Sequence, residues 1–504
     1  MGKRIVHAGL VMLLLGLGLY GSGHTLDVQR ERGDVNGDGA IDVLDAVQAI
    51  HIVLGTSPSP SGEELWAADC NGDGEVSVLD VLGIVNVILE IGTCVSSCDE
   101  LDCDDGNPCT EDYCDSVLVQ CRHEPLEDGT PCDDGDPHTE NDMCIDGICG
   151  GTPRSLEEEL QEALDIVSES KGVLGAAVAV QIPGHDVWVG TVGTSFDTTL
   201  IERDMIFSIA SITKSFVATV ILRLAEEGVL TLEDSLHQWL PANPNIDSTV
   251  TVRQLLNHTS GIHSYAWDVN MYFLDNPEKI WTPEEIITTL VEEPYFPPGT
   301  SFHYSNTNYI LLGMIIRQAT GSEVSTQLRN HILNPLGLNH TFLGIEEEII
   351  GEIAHGWEDI DGDGQQEDLS MYSRNAFNSL LWTCGGMYSS AEDLVIFSRA
   401  LFEGDLLTQS SLDQMLDFYP YPPDPDLGYG LGICIIANFI PGVRAIGHTG
   451  GIYGYVSSMV YMPDYEAHIS VTVNASRYSN SPNELIANAL AEVVMHHLGD
   501  EMTE

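Results

Sequence analysis

The sequence predicts a multidomain chain: a small helical module at the front, a disulfide-rich linker, and a large α/β domain of the α+β kind with an antiparallel sheet and a helical lobe. Three observations carry this reading. Residues 34–55 and 69–90 repeat one pattern, an acidic loop running into apolar residues at helical spacing. Nine of the 12 cysteines fall between Cys94 and Cys149. From about Leu156 the composition turns globular, with strand-like apolar runs at both ends of the domain and helical spacing between them. At 504 residues the chain is too long for one ordinary core, so several folding units are expected.

The chain opens with Lys3 and Arg4, an apolar stretch from about Ala8 to Tyr20, and the small residues Gly21, Ser22 and Gly23. This is the three-part pattern of a secretory signal over residues 1–23. The apolar run is shorter than the roughly 20 residues that span a bilayer, so cleavage near Gly23, and no membrane span after it, are expected. The destination is then secreted, periplasmic or cell-surface, of a bacterial type. A formal net charge of −60, from 78 acidic and 18 basic residues, argues against nucleic acid or an anionic membrane as partner and suits calcium or a saline milieu. In an exported chain this cysteine density means disulfides rather than metal thiolates.

In the first acidic loop Asp34, Asn36, Asp38, Asp42 and Asp45 occupy positions 1, 3, 5, 9 and 12, with Gly39 at position 6 where such a loop turns sharply. The second loop repeats it with Asp69, Asn71, Asp73, Gly74, Ser77 and Asp80. Oxygen ligands at this spacing converge on one hard cation, and the position-7 carbonyls of Ala40 and Glu75 complete the shell. Two loops in tandem, each followed by a single helix and each with Asp at position 12, resemble a dockerin over residues 32–92. That resemblance implies structural calcium and a cohesin-like scaffold as partner. It also implies that Val43, Leu44, Val78 and Leu79 face the partner, apolar where some cellulosomal dockerins carry hydroxyl pairs. A calcium-stapled spacer is the alternative.

Over residues 94–150, Cys103-Asp-Asp-Gly-Asn-Pro-Cys109 is echoed by Cys132-Asp-Asp-Gly-Asp-Pro-His138, the second copy lacking one cysteine. A segment this polar cannot bury a core and must be held by cross-links. The odd count of nine points to Cys70 as the tenth thiol, with the pairing left open.

The last domain, residues 156–500, opens with an amphipathic helix through Glu169 and strands near 173–182 and 186–193. It closes with strands near 429–436, 445–449, 456–462 and 467–473 and a helix over 483–498. A sheet built from both ends of the domain, packed by the terminal helices, follows from this order.

Its chemistry lies in three elements. Ser211-Ile-Thr-Lys214 sits in the helical stretch 207–227, so serine and lysine share a helix face, and an amine beside a serine hydroxyl eases formation of the alkoxide. Ser168-Glu-Ser-Lys171 has the same letters but stands against Gly172, where a helix should end. Tyr304-Ser-Asn306 follows Pro297-Pro-Gly299 on a loop; a tyrosinate near a lysine can act as general base and a carboxamide can bind a substrate amide. Tyr478-Ser-Asn480 is a decoy in the wrong order. His448-Thr449-Gly450-Gly451 reads as a strand along which an extended substrate pairs, and the amides of Gly451 and Ser211 can form an oxyanion hole.

These motifs, with Leu256-Asn-His-Thr-Ser-Gly-Ile262, Gly385-Gly-Met-Tyr-Ser-Ser-Ala-Glu-Asp-Leu394 and Gly447-His-Thr-Gly-Gly-Ile-Tyr-Gly454, resemble the serine beta-lactamase and D-alanyl-D-alanine carboxypeptidase superfamily, nearest its class C and family VIII esterase branches. The resemblance implies acyl transfer without a catalytic cofactor: Ser211 attacks a carbonyl, Lys214 and Tyr304 move the proton, and water hydrolyses the acyl-enzyme. Asn306, His448, Thr449, Gly450 and Gly451 would bind the substrate. That substrate is a small ester, a D-amino-acid peptide or a beta-lactam. His448 replaces the lysine of the class C enzymes. The competing reading is a non-catalytic peptidoglycan-binding or scaffold-interaction protein.

Smaller signals are Asp359-Ile-Asp-Gly-Asp-Gly364, which resembles a further calcium loop but carries Ser370 at position 12, and Cys384 with Cys434, either a bridge or two thiols. His258 and His263 read as structural, Arg399 and Arg477 as surface partners.

Overall fold

Each acidic loop passes its chain to a helix through a capping box. Asp42 caps α1 (Val43–Val53) and Ser77 caps α3 (Val78–Ile88), and in both the third helical residue, Asp45 or Asp80, turns back to the cap backbone. A short α2 (Gly62–Ala68) lies between them. The computed structural model describes residues 30–94, 101–115, 120–136, 138–265, 269–421, 424–437, 439–476 and 481–501. The signal expected at residues 1–23, Arg477 and the decoy Tyr478-Ser-Asn480 lie outside them. The chain divides into two compact units, Met1–Pro153 and Arg154–Glu504.

In the first unit Val35, Ala46, Ala49, Ala68 and Ile84 form a small core. Cys70 bridges Cys94 beside it, so Cys70 does join the cysteines of the linker. The linker itself is two antiparallel hairpins. β1 (Thr110–Asp115) pairs with β2 (Gln120–Pro125), and β3 (Thr139–Ile145) with β4 (Ile148–Pro153). Cys103–Cys121 and Cys132–Cys149 staple the hairpins, and Cys109–Cys144, both buried, ties one to the other. Cross-links thus replace a core the composition cannot supply.

In the second unit α4 (Leu156–Lys171) ends at Gly172 in the left-handed region, φ 66°, which places the Ser168–Lys171 decoy on the helix's last turn. Nine antiparallel strands form one sheet: β5 (Gly175–Gln181), β6 (Trp188–Phe196), β7 (Thr199–Leu200), β8 (Tyr419–Tyr421), β9 (Asp424–Tyr429), β10 (Cys434–Ile435), β11 (Ile446–Ile452), β12 (Tyr455–Met462) and β13 (Ala467–Val473). Their order is β8-β9-β10-β11-β12-β13-β5-β6-β7, so the two ends of the domain meet where β13 pairs with β5. α4 and the terminal α9 (Pro482–Glu501) cover one face around Leu160, Leu164, Ile486 and Leu490. The helical lobe packs on the other side around α5 (Thr213–Glu226), α6 (Asn306–Thr320), α7 (Arg374–Gly385) and α8 (Ala391–Phe402), with Phe216 stacked on Phe397 at 3.7 Å. Among the described residues no helix is long and apolar enough to cross a membrane.

The strand expected over 429–436 is a correction: it is two strands. The amide of Gly430 donates to Ile433 in a turn between them, and Gly432, at φ 78°, lies so close to α5 that a Cβ would sit 2.4 Å from Ala218. Ser215 Oγ donates to Gly432 O at 2.7 Å, fixing that turn on α5. Cys384 and Cys434 are free thiols. Asp359, Asp361 and Asp363 cluster in the turn of a small hairpin, Trp357–Glu358 with Glu367–Asp368. Arg399 pairs with Glu403, its neighbour one helical turn on.

Candidate active site

Ser211 lies in a 3-10 turn, Ala210–Ile212, between the short strand Phe207–Ser208 and α5. The turn is tight: Ala210 takes φ 45°, a region an alanine enters only under strain, and such strain gathers where a side chain must be aimed. Lys214 follows in the first turn of α5, fully buried, and its Nζ stands 3.0 Å from Ser211 Oγ. Two further acceptors hold that nitrogen, Asn306 Oδ1 at 2.7 Å and the Cys384 carbonyl at 2.5 Å. Burial lowers Lys214 to about 8. With two N–H groups committed to Asn306 and Cys384, the neutral amine turns its lone pair toward the serine hydroxyl.

The Cys384 carbonyl reaches Lys214 because α7 breaks at Trp382, φ 33° and ψ −118°, inside the helix. Trp382 is anchored by Nε1 donating to Glu346 at 2.7 Å, with Arg317 4.4 Å over its ring. Sequence reasoning missed this contact; a backbone carbonyl has no letter of its own, and the only trace was Gly385-Gly386 at the break.

Tyr304 comes from the loop before α6. Its phenol hydrogen-bonds Ser211, and Lys214 Nζ lies 4.9 Å over its ring. The loop is fixed by His258, fully buried at φ 60°, whose Nδ1 accepts the Ser305 amide at 3.2 Å and whose carbonyl accepts the His303 amide at 3.1 Å. The His258 and Tyr304 rings are 4.3 Å apart. The structural role read for His258 therefore bears directly on the site. Burial pushes Tyr304 well above its usual 10, so the group stays a phenol at neutral pH. That burial disfavours the tyrosinate expected from sequence, while the same burial brings Lys214 toward its neutral form beside Ser211.

β11 carries the third element. Gly450 packs on the turn holding Ser211 so closely that a Cβ would lie 2.3 Å from the Ile209 carbonyl, which Ser457 Oγ also approaches at 3.0 Å. β10 pairs with β11 only at Gly447 and Ile446, so the pairing stops before His448. His448 Nδ1 lies 2.6 Å from the Thr449 carbonyl; a carbonyl only accepts, so Nδ1 holds the proton and Nε2 accepts from Tyr429 Oη at 3.0 Å. Burial, with Lys214 adding to it, lowers His448 to about 3, which makes it neutral.

Ser211, Tyr304, His448, Thr449 and Gly451 line one cavity of about 360 Å³, with Phe302, Tyr429 and Glu484. Asn306 and Gly450, expected to touch substrate, are not on its wall: the first holds Lys214 and the second packs beneath Ser211. Tyr429 and Glu484 were not singled out in the sequence.

Residues 154–493 match the Beta-lactamase family. The chain belongs to the Beta-lactamase family. Residues 32–89 match the Dockerin type I domain, so a dockerin module precedes the Beta-lactamase domain. Penicillin-binding protein 4* of Bacillus subtilis (strain 168) is 29% identical over 275 residues, 53% of this chain and 60% of that protein. Unguisins hydrolase ungD of Aspergillus violaceofuscus (strain CBS 115571) is 24% identical over 362 residues, 64% of this chain and 62% of its own length. The chain thus spans less than two thirds of these relatives. Among solved structures, a D-stereospecific amidohydrolase from Streptomyces sp. is 33% identical with a TM-score of 0.58, covering 66% of this chain and 98% of that one. The D-amino acid amidase from Ochrobactrum anthropi SV3 complexed with D-phenylalanine is 28% identical with a TM-score of 0.59, covering 69% and 99%. This domain therefore has the fold of a serine hydrolase family that includes amidases and penicillin-binding proteins.

The two dockerin loops repeat most of one another's bonds, but the Gly37 and Asp38 amides that Asp34 Oδ1 accepts have no counterpart at Asp69 Oδ1. Asp45 and Asp80 are fully buried, each accepting two loop amides: those of Asn36 and Asp42 for Asp45, of Asn71 and Ser77 for Asp80. Asp34 and Asp69 are buried too, and Asp69 Oδ1 is buried with no hydrogen-bond partner. Asn36 and Asp38 each receive the amide two residues on, as do Asn71 and Asp73. Carboxylates buried without enough donors are costly alone and suit a hard cation. Val43 and Leu44 are 63% and 62% exposed, Val78 63%, and Leu79 is also exposed, so the apolar pair of each copy faces solvent.

Proposed function

We propose that this chain is an exported serine hydrolase that forms an acyl-enzyme on Ser211 with a small amide, peptide or ester, carried by a calcium-dependent dockerin. The observation that carries it is the 3.0 Å approach of a buried, pKa-lowered Lys214 to Ser211 Oγ, with its other hydrogen bonds taken by Asn306 and Cys384.

The neutral Lys214 amine takes the Ser211 proton as Oγ adds to the carbonyl carbon. The amides of Ser211 and Gly451 receive the oxyanion, on the cavity wall where β10 no longer pairs with β11. Collapse breaks the bond to the leaving nitrogen or oxygen, which receives the proton from Lys214 through the Tyr304 hydroxyl. Water then adds to the ester, gives its proton back along the same path, and frees the acid and Ser211. His448 stays neutral and shapes the cleft with Tyr429.

In the dockerin, Asp34, Asn36, Asp38, Ala40, Asp42 and Asp45, with Asp69, Asn71, Asp73, Glu75, Ser77 and Asp80, would hold two calcium ions. Calcium supplies charge neutralisation for the buried carboxylates, and Val43, Leu44, Val78 and Leu79 present an apolar face to a cohesin-like partner. Purified protein treated with a fluorescent phosphonate or penicillin should be labelled on Ser211; label persisting in Ser211→Ala would refute the assignment. Capture of a cohesin that survives chelation would remove the calcium-dependent tether.

A further inference from the structure

The charges around the cleft define the sign of the ligand it takes. Among the described residues lining the 360 Å³ cavity, Glu484 is the one that carries a carboxyl group. His448 is neutral, Tyr304 and Tyr429 are phenols, and Lys214 stands behind Ser211, bound to Asn306 and Cys384.

Glu484 is placed there rigidly. It lies in the first turn of α9, and the residue before it, Asn483, is buried and fastened to the sheet, with Nδ2 donating to Ser457 O at 3.0 Å and Ser458 Oγ at 2.9 Å. Ser457 and Ser458 pair with Gly450 and Thr449 of β11. The start of α9 is thus fastened to β12, the strand next to the Thr449–Gly451 segment. Its hydrogen-bond partner is Ser481, and among the described residues no arginine or lysine pairs with it, whereas nine arginines elsewhere (32, 122, 154, 203, 223, 253, 317, 329 and 399) do have acidic partners. Burial raises its carboxyl above the usual value, with the Ser481 hydrogen bond working against the shift.

A half-buried carboxylate lining the same cavity as a reactive serine gains most from a ligand that brings a cation. A substrate ending in a carboxylate meets the opposite: repulsion from Glu484, a neutral histidine on β11, and no lysine or arginine among the described residues that line the cavity. We propose that Glu484 binds a substrate ammonium, so that the cleft takes amino-acid amides and short peptides with a free amino group near the scissile carbonyl. This rests on the acyl-transfer reading above for its consequence in turnover, but the binding it predicts does not need turnover.

Calorimetry on full-length Ser211→Ala protein separates the two. Phenylalanine amide, tried as both enantiomers, should bind at least ~10-fold more tightly than N-acetyl-phenylalanine amide for the better enantiomer, the gain typical of one charge-assisted hydrogen bond. In the Ser211→Ala/Glu484→Gln protein that preference should collapse to within about two-fold. Equal affinities, a preference that survives Glu484→Gln, or no binding of phenylalanine amide would each overturn the proposal. Turnover of p-nitrophenyl acetate by the unmodified protein and its loss in Ser211→Ala report separately on acyl transfer: a dead enzyme that still prefers the free amine would sink the catalytic reading and keep the ammonium site.

Discussion

The amine of Lys214 lies 2.7 Å from Asn306 Oδ1, a residue 92 positions later that sequence reasoning had assigned to the substrate. The carboxamide acts as a lever on the base. An acceptor on the ammonium favours the charged form, so a stronger acceptor raises the lysine and a missing one lowers it. Asn306→Asp should therefore move the acidic limb of kcat/KM on p-nitrophenyl acetate upward by about one unit or more, and Asn306→Leu should move it downward while kcat falls on the order of 10²-fold from lost positioning. Limbs that stay where they are in both variants would show that Lys214 does not set the profile.

In the unaltered enzyme the same logic fixes the shape of the profile. A base must be unprotonated to work, and Lys214 becomes so above about 8. Tyr304 remains a phenol and His448 remains neutral on either side of that value. kcat/KM on a neutral ester should rise with pH through one ionisation near 8 and then level off. Tyr304→Phe should cut kcat on the order of 10²-fold without displacing that limb, because it removes a proton carrier and not the base. A limb that vanished in Tyr304→Phe would transfer the base to the tyrosine.

The parts of this site that sequence could reveal are those written in side chains at short range. Ser211 and Lys214 are three residues apart, the repeated loops spell their oxygen positions, and strands such as Ala467–Val473 alternate too regularly to be mistaken. What stayed hidden depends on backbone geometry across long separations. The Cys384 carbonyl meets Lys214 over 170 residues, and only because Trp382 breaks its helix. Glu484 looks like any acid in a first helical turn until Asn483 ties that turn to β12. The strand expected over 429–436 failed because Gly430 and Gly432 let the chain turn back onto α5, a tertiary contact that apolar periodicity does not record.

Asp45 and Asp80 are fully buried at equivalent points of the two dockerin loops, and their carboxylates accept only loop amides. Calcium binding to the folded module should add about 2.7 kcal/mol of stability at a free concentration 100 times its dissociation constant. Scanning calorimetry of the full chain should show one transition that moves up with calcium and down with chelator. In Asp45→Ala/Asp80→Ala that transition should become insensitive to calcium. Ester hydrolysis should not follow it, because the loops and Ser211 belong to separate compact units. A calcium response that persists in the double variant would place the ion elsewhere.

His448 is a second position, besides Glu484, where a single change should redirect the cleft. The imidazole is buried, donates to Thr449 O and accepts from Tyr429, and so contributes shape without charge. A lysine there would project an ammonium into the cavity that Ser211 and Glu484 share, where it can meet either Glu484 or an incoming carboxylate. One charge-assisted pair in such a setting is worth about 1.5–3 kcal/mol, or roughly 10- to 100-fold. His448→Lys should accordingly raise the rate constant for acylation by a fluorescent penicillin, whose carboxylate gains a partner, and lower kcat/KM for a free amino-acid amide by a similar factor. His448→Gln, polar but uncharged, should produce neither change. If the glutamine variant matched the lysine variant, size and not charge would govern the choice of substrate.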